Sequence, residues 1–375
     1  MQSLNAVSLF SGGGGMDLGL MATGWNILFS TDIDYESCIT LQKGKQVFNS
    51  INPSIKQTGV IHRGDISKLK KSFILSTIPK DVSSIHLLAG GPPCQAFSVF
   101  GKRKGLKDER GELIFEYTRM LRELKPEVFV FENVPGILTE NDGLTWELVL
   151  KKLRRPGSGI KYHINEFHLD AANFLVPQYR KRVIVIGTRK AIKMSAINPI
   201  CGLLETSSHT LRKRTVSDAF NHLPSPNTKE GRSISNHKPR KHSERIIDRY
   251  TKLEFGERDP KTRINKLDPS KPSFTIIVGS DNGGGKGHVH PHEGREVTPR
   301  ESARIQSFPD WWEFTGSVRH EIRQVGNAVP PLLGAIIGNH IRSEVYDLKP
   351  IPLIEIITSL GQEHLFSKEE TNLIN

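Results

Sequence analysis

Short apolar segments alternate with helix-like segments through the first half of the chain, and this alternation is the strongest constraint on the fold. Apolar runs of about four or five residues predict strands that are buried on both faces. The predicted strands are residues 7–10, 26–30, 85–89, 128–131 and 183–187, and the predicted helices are 16–23, 35–43 and 112–124. This order predicts a doubly wound, parallel α/β sheet that binds its ligands at the carboxyl ends of the strands.

The character of the sequence changes after Thr188, so we expect a second lobe in the chain of 375 residues. Residues 190–295 are rich in Ser, Pro, Asn, His, Lys and Arg and contain few periodic segments. The polar, basic stretch 225–242 is either a flexible linker or a region that contacts nucleic acid. Regular patterns return at 299–308, a short helix, and at 332–344, an amphipathic helix that could pack on the sheet of the first lobe.

The charge balance favours a polyanionic partner. Lys and Arg number 52 against 40 Asp and Glu, a formal net charge of +12. Such a surplus suggests nucleic acid, although a basic surface without a partner would give the same count. Three cysteines without a C-x-x-C pair argue against a disulfide framework and structural zinc. Long uncharged apolar runs are missing too, so we expect a soluble protein of a reducing compartment.

A run of glycines, Gly12 to Gly15, follows the first predicted strand and precedes a helix. Glycines at this point let the backbone approach a ligand closely. The G-x-G-x-x-G fingerprint of dinucleotide sites does not fit in any register, which argues against a nicotinamide cofactor. Asp32, about twenty residues later, suits ribose hydroxyls, and Asp65 could meet an adenine edge. A nucleoside cofactor such as S-adenosylmethionine fits, while a tight turn without a ligand remains the alternative.

A cysteine, an acid and two arginines end or begin other strands of the same sheet. Cys94 follows Pro92 and Pro93, which stiffen its loop, so it is either a nucleophile or an inert packing residue. Glu132 and Asn133 end an apolar strand, where a carboxyl group is suited to holding or donating a proton. Arg180 and Arg182 begin another strand and share one face of it. Either arginine could pair with Glu132 or contact a substrate oxygen. The alternative for each is an ordinary surface charge without a role in the site.

These motifs together resemble the DNA (cytosine-5)-methyltransferases, of the bacterial restriction-modification type. "LFSGGGGMDLGL", "TDID", "GDI", "GGPPCQAFS", "ENV", "QYRKR", "RESARIQSFPD" and "QVGNAVPP" occur in the order of that family. The resemblance spans residues 7–338, apart from a variable region between Arg189 and about His292. It implies a catalytic and cofactor-binding domain at 1–190, a smaller, irregular target-recognition domain at 191–321, and a return to the catalytic domain at 322–375.

The resemblance also implies roles for individual residues. Cys94 would be the nucleophile, and Glu132 would bind the cytosine at its ring nitrogen and exocyclic amine. Asn133 would position the proline–cysteine loop, and Arg182, with Arg180 more weakly, would contact the base and Glu132. The S-adenosylmethionine pocket would contain Phe10, Gly12, Gly13, Gly14, Asp32, Ile33, Asp65, Ile66, Pro93, Leu113, Asn327 and Ala328. DNA would be contacted by Ser98, Lys102, Arg103, Lys104, Arg110 and Thr275.

The implied reaction is transfer of a methyl group from S-adenosylmethionine to carbon 5 of a cytosine flipped out of duplex DNA, through a covalent cysteine adduct. A tRNA substrate and a catalytically inactive DNA-binding protein are the alternatives. The resemblance further implies a cytoplasmic protein, with a cognate restriction endonuclease as a partner in function. One enzyme copy that acts on one base needs no dimer, so we expect a monomer. The cluster His288, His290, His292 and Glu293 looks like a metal site, but the family needs no metal and we expect none.

Overall fold

The computed structural model describes residues 4–55, 57–93, 112–198, 211–278 and 285–374. Seven strands form one sheet in the order β3-β2-β1-β4-β5-β7-β6. Their bounds are β1 Leu4–Leu9, β2 Trp25–Asp32, β3 Val60–Arg63, β4 Leu87–Gly90, β5 Val128–Asn133, β6 His163–Asp170 and β7 Lys181–Thr188. Strands β1 to β5 pair in parallel, whereas β7 runs antiparallel to both β5 and β6. The α/β class is confirmed, and the expectation that the strand at 183–187 is parallel is wrong.

The first half of the chain supplies helices that connect these strands, and the last part supplies helices that cover the sheet. The helices are α1 Gly15–Ala22, α2 Tyr35–Ile51, α3 Lys71–Thr77, α4 Glu112–Leu124, α5 Leu144–Arg154, α6 Val216–Phe220, α7 Lys229–Arg232, α8 Glu244–Lys252, α9 Pro299–Ile305, α10 Val318–Asn327, α11 Pro331–Tyr346, α12 Leu353–Ser359 and α13 Lys368–Ile374. Among these described helices, none combines the length and apolar character that a bilayer span requires.

Both faces of the sheet are buried because alternate residues of its strands enter two different apolar clusters. In β5, Val128 and Val130 pack on one side, and Phe129 and Phe131 pack on the other. Helices α1, α11 and α12 belong to the first cluster, and α4 and α5 belong to the second. This two-sided burial explains why these strands read as continuous apolar runs.

Helix α11 differs from the expected amphipathic helix. Every residue from Pro331 to Ile341 is buried, so this part of the helix is enclosed on all sides. It crosses α1 closely at Gly19, where a Cβ atom would lie 2.3 Å from the carbonyl oxygen of Pro331. The close crossing explains why α1 is buried along its whole length.

Strand β6 was missed from the sequence because it lies at the edge of the sheet. Its residues alternate between apolar and polar types, and most are only partly buried. An edge strand with one solvated side has no continuous apolar run. Strand β3 forms the opposite edge of the sheet, and none of its four residues is fully buried.

The region after β7 has little regular structure but its own small core. It contains short helices and a two-stranded ribbon, β8 Ile277–Val278 with β9 Gly285–Lys286. Its core is made by Tyr250, Leu253, Ile264 and Val289. The basic stretch 225–242 is packed in place, since the imidazole of His237 contacts the hydroxyl of Thr298 and the carbonyl of Pro224, both at 2.8 Å. This packing contradicts a flexible-linker interpretation of the stretch.

Candidate active site and cofactor pocket

The described candidate residues Asp32, Glu132, Asn133 and Arg182 lie at one edge of the sheet. Parallel pairing brings the carboxyl ends of β1, β2, β4 and β5 to this edge. Because β7 is antiparallel to β5, its first residues lie at the same edge, with Val183 opposite Asn133. The reversal of β7 therefore brings the arginines of "QYRKR" beside the acid that ends β5.

The glycine turn after β1 presents open backbone at Gly12. Gly12 has φ +51, its N–H donates to the Asp32 carboxylate at 2.7 Å, and a Cβ added there would meet no atom within 4 Å. At Gly14, with φ +84, a Cβ would lie 2.6 Å from Leu41 and 2.7 Å from Trp312. Gly14 is therefore required for packing, and Gly12 leaves space for a ligand.

Asp32 ends β2 beside this space. Its second oxygen accepts from the N–H of Asp34 at 2.9 Å. Burial raises the pKa of Asp32, against the lowering effect of the two backbone N–H bonds. The next residue, Ile33, is 68% exposed, the highest value for a large apolar side chain among the described residues. These three features fit the nucleoside part of S-adenosylmethionine. The open glycine turn lets the ligand approach the protein backbone, the carboxylate suits the ribose hydroxyls, and the exposed apolar side chain suits the adenine ring.

The remaining predicted pocket residues lie in different environments. Phe10, with φ +55, and Leu113 are half-buried against the second apolar cluster. Asp65 accepts from the N–H of Ser67 at 2.9 Å, and this hydrogen bond holds the pKa of Asp65 below its ordinary value. Ile66 and Ala328 are buried, and Pro93 and Asn327 are exposed. Gly13 packs near Gln324, since a Cβ added at Gly13 would lie 3.2 Å from the Gln324 side chain.

Glu132 and Arg182 form an ion pair at the edge of the sheet. Arg182 Nε lies 2.7 Å from Glu132 Oε1, and the two side chains are 10% and 12% exposed. Arg182 Nη1 also donates to the carbonyl oxygen of Lys181 at 2.7 Å. Gly91 lies against the acid, because a Cβ at Gly91 would be 2.5 Å from Glu132 Oε2. The carboxylate is thus held between an arginine and a residue that has no side chain.

Asn133 ties the end of β5 to the proline loop. Its Nδ2 donates to the carbonyl oxygen of Pro92 at 3.0 Å, and its Oδ1 accepts from the N–H of Val134. This contact joins Asn133 to the backbone two residues before Cys94. Cys94 itself lies outside the described residues, as do Ser98, Lys102, Arg103, Lys104 and Arg110.

Arg180 does not form the ion pair with Glu132 that the sequence left open for it. The side chain is 1% exposed, and Nη2 donates to the carbonyl oxygen of Ala328 at 2.9 Å. Burial, and then the charge of Arg182, lower the pKa of Arg180. Its Nε and Nη1 are buried without a hydrogen-bond partner among the described residues. Arg180 therefore joins the start of β7 to the segment after α10, whereas Arg182 holds the acid.

Thr275 lies exposed where the irregular region returns to this edge. Its hydroxyl donates to the carbonyl oxygen of Tyr179 at 2.7 Å, and its carbonyl oxygen accepts from the imidazole of His288 at 3.1 Å. His290 Nδ1 accepts from the backbone N–H groups of His292 and Glu293. No group of three or more His, Cys, Asp or Glu suited to a metal ion occurs in the part of the chain that the structure describes.

Sequence reasoning missed several residues that support the site. The Tyr117 hydroxyl of α4 lies 3.2 Å from the carbonyl oxygen of Leu88 and 2.8 Å from that of Val130, and so bridges β4 and β5. Gln306 donates to the Ala328 carbonyl at 2.6 Å and pairs with Gln178. These partners are far apart in sequence, so no local sequence pattern predicts their contacts. Gly91, inside a quoted motif, could have been singled out by its spacing to the cysteine.

Comparison with known proteins agrees with this geometry. A type II methyltransferase of Psychrobacter, M.PspPI, is 32% identical over 91% of this chain and 79% of its own length. M.NgoFVII of Neisseria gonorrhoeae is 33% identical over 87% of this chain and 83% of its own. A crystal structure from Escherichia coli, described as a prophage-encoded DNA modification methyltransferase, aligns with a TM-score of 0.72 and 26% identity over 92% of this chain and 100% of that one.

The fold is also shared with more distant structures. The Dnmt2 methyltransferase of Schizosaccharomyces pombe aligns with a TM-score of 0.59 and 20% identity, over 90% of this chain and 98% of its own. The model of the C-5 cytosine-specific DNA methylases matches residues 4–343. Members of that family transfer a methyl group from S-adenosylmethionine to carbon 5 of cytosine. The chain therefore belongs to the C-5 cytosine-specific DNA methylases and is a DNA cytosine-5 methyltransferase.

Proposed function

We propose that this methyltransferase modifies one cytosine within a specific duplex DNA sequence, as the protective partner of a restriction endonuclease. The observation that carries the site assignment is the Glu132–Arg182 pair, 2.7 Å apart beside the loop that Asn133 ties to β5. The similarity to type II methyltransferases supports DNA over tRNA as the substrate.

In the proposed reaction the Cys94 thiolate adds to carbon 6 of the flipped cytosine. Glu132, in its protonated form when the base is bound, holds ring nitrogen 3 and gives it this proton, so that the electrons of the ring double bond move toward carbon 5. Carbon 5 would then take the electrophilic methyl group that bound S-adenosylmethionine supplies, with S-adenosylhomocysteine as the leaving group. Loss of the carbon 5 proton to solvent expels Cys94 as a thiolate, and Glu132 takes back the proton of ring nitrogen 3, which restores the neutral aromatic base. Arg182 keeps the Glu132 carboxyl group turned toward the base throughout.

The proposed cofactor pocket is supported by the open backbone at Gly12, the carboxylate of Asp32 and the exposed Ile33. Phe10, Gly13, Gly14, Asp65, Ile66, Pro93, Leu113, Asn327 and Ala328 complete the proposed set. For DNA we propose contacts from Thr275 and from the loop residues Ser98, Lys102, Arg103, Lys104 and Arg110, whose positive charges suit phosphates. We keep the proposed division into 1–190, 191–321 and 322–375, with the middle segment as the recognition domain.

Methylation of plasmid DNA tests the function directly. Bisulfite sequencing of plasmid from cells that express the protein should show one cytosine protected in a repeated sequence context. A tritiated cofactor should label duplex DNA and leave tRNA unlabelled, and Cys94→Ser should abolish the label. A duplex with 5-fluorocytosine at the target should become joined covalently to wild-type protein only. Label in tRNA but not DNA would reject the proposed substrate, and full activity of Cys94→Ser would reject the mechanism.

The remaining proposals follow from the substrate. DNA is reached in the bacterial cytoplasm or nucleoid, and a single site that acts on a single base needs no second subunit, so we propose a cytoplasmic monomer. Sedimentation of the pure protein with and without a target duplex should give one protein per duplex. A cognate endonuclease would cut unmodified plasmid and spare plasmid from the expressing cells.

A further inference from the structure

A buried carboxylate lies beneath the glycine turn and has no part in the reaction described above. Asp17, in the first turn of α1, is 1% exposed. Its Oδ1 accepts from the hydroxyl of Ser8 at 2.5 Å, and its Oδ2 accepts from the hydroxyl of Ser30 at 2.6 Å. Ser8 belongs to β1 and Ser30 to β2, so one carboxylate joins the helix to two neighbouring strands.

The hydrogen bonds continue from Asp17 to the turn itself. Ser8 Oγ lies 2.9 Å from Ser11 Oγ, and Ser11 directly precedes Gly12. Because Ser8 uses its only hydroxyl hydrogen on Asp17, its oxygen is the nearer acceptor for the Ser11 hydroxyl, which also lies 3.4 Å from the carbonyl oxygen of Ser8. The carbonyl oxygen of Ser11 in turn accepts from the N–H of Gly14 at 2.9 Å, which closes the turn. The relay thus runs from Ser11 through Ser8 to Asp17.

The turn is consequently held from two sides by carboxylates. Asp32 binds the Gly12 N–H directly, and Asp17 acts on Ser11 through Ser8. We propose that Asp17 is a positioning residue for S-adenosylmethionine: it orients the Ser8 hydroxyl, which fixes Ser11 and thereby the open backbone at Gly12. This inference rests on the proposed cofactor pocket.

The hydrogen bonds give the relay its direction. Both serine hydroxyls have an Asp17 oxygen as their acceptor, so the Asp17 side chain orients the Ser8 hydroxyl. Burial raises the pKa of Asp17, opposed by the two serines and by Lys45, while the charge of Asp32 adds to the rise. Lys45 is itself buried, with its pKa lowered to about 8, and its ammonium donates to the carbonyl oxygens of Ile27 and Gly59. It supplies a positive charge near Asp17 without displacing either serine.

Two serine variants separate positioning of the turn from general stability. Ser8→Ala and Ser30→Ala each remove one hydrogen bond to Asp17, but only Ser8→Ala breaks the link to Ser11. We expect both to lower the melting temperature to a similar extent. Binding of S-adenosylmethionine and S-adenosylhomocysteine, measured by calorimetry without DNA, should weaken about tenfold in Ser8→Ala and less than about threefold in Ser30→Ala.

Thr188→Ala is the matched control at the other edge of the same sheet. Its buried hydroxyl contacts the carbonyl oxygens of His163 and Lys190, so its loss should reduce stability and leave the cofactor Kd unchanged. Asp17→Asn, whose amide can donate as well as accept, should resemble Ser8→Ala. In both, the KM for S-adenosylmethionine should rise with its Kd, and kcat at saturating cofactor and the KM for DNA should stay within about twofold.

Equal cofactor affinities of Ser8→Ala and Ser30→Ala would overturn the inference, as would a loss confined to kcat. If Asp17→Asn does not fold, the two serine variants still decide the question. Failure of the pocket itself has a different signature: Gly12→Ala would then leave cofactor binding unchanged. If Gly12→Ala weakens cofactor binding and Ser8→Ala does not, the role of Asp17 is rejected and the proposed pocket is retained.

Discussion

Arg182 Nε lies 2.7 Å from Glu132 Oε1, although the two residues come from strands that run in opposite directions. Both side chains are nearly buried, so the carboxyl group is held by an arginine with little competition from water. Loss of either partner would leave a charged group without its counterpart at the edge of the sheet.

Glu132→Gln should lower kcat by a factor of about 10² to 10⁴, because an amide cannot give a proton to the base. Transfer of a tritiated methyl group to a duplex at saturating cofactor measures the effect. Glu166→Gln is the control, since it changes an acid of strand β6 whose carboxylate contacts His168 at 2.7 Å rather than Arg182. Retention of more than about a tenth of wild-type kcat in Glu132→Gln would contradict the role of this acid.

Gly91→Ala should reduce kcat by displacing the Glu132 carboxylate, because the new Cβ would lie 2.5 Å from Glu132 Oε2. We expect a loss of about tenfold or more, comparable with other misplacements of a catalytic group. The double variant with Glu132→Gln identifies the cause. If Gly91 acts through the acid, Gly91→Ala will add little to the loss already caused by Glu132→Gln. Additive losses would place the effect elsewhere.

Gly12→Ala should weaken S-adenosylmethionine binding, since φ is +51 and the added methyl group would enter the open space beside Asp32. Gly159→Ala is the matched control: it has φ +72, also has no atom within 4 Å of an added Cβ, and precedes β6 at the opposite edge of the sheet. Each change should cost about 1 kcal/mol of stability. Only Gly12→Ala should raise the cofactor Kd in a calorimetric titration, and equal Kd values would contradict the pocket.

Glu370→Gln should destabilise the protein at neutral pH but not in acid. Arg214 is fully buried and donates to both carboxylate oxygens of Glu370, at 2.8 and 2.6 Å. Glu370 lies beyond residues 4–343, which match the family model. These hydrogen bonds lower the pKa of Glu370 from 4.5 to about 2. A lowered pKa stabilises the folded state above pH 4.5, and this contribution disappears as the pH falls toward 2.

Thermal denaturation from pH 7 to pH 3 measures this difference. Glu370→Gln should lose about 2 kcal/mol near pH 7, and its melting temperature should approach that of the wild type as the pH falls. Glu363→Gln, which changes an exposed carboxylate in the same C-terminal segment, should follow the wild type throughout. A difference that stays constant with pH would mean that the ion pair is not its source.

Much of the fold followed from local pattern. The apolar runs at 128–131 and 183–187 are strands because alternate residues enter two cores, and a strand buried on both faces needs an apolar residue at nearly every position. Strand β6 gave no such signal, because one side of an edge strand is solvated. Helix α11 was expected to be amphipathic, but α1 and the sheet enclose it. Its burial depends on these neighbours and cannot be predicted from the sequence of the helix alone.

The amino-acid sequence alone determined the family, the α/β class, the cofactor and the segments that meet at the carboxyl edge, because glycine conformation, apolar runs and motif order are local properties. The tertiary structure decided that β7 is antiparallel, that Arg182 rather than Arg180 pairs with Glu132, and that Asp17 reaches the glycine turn through Ser8. Strand direction and side-chain partners depend on neighbours distant in the chain, which compete for the same hydrogen bonds and the same buried space.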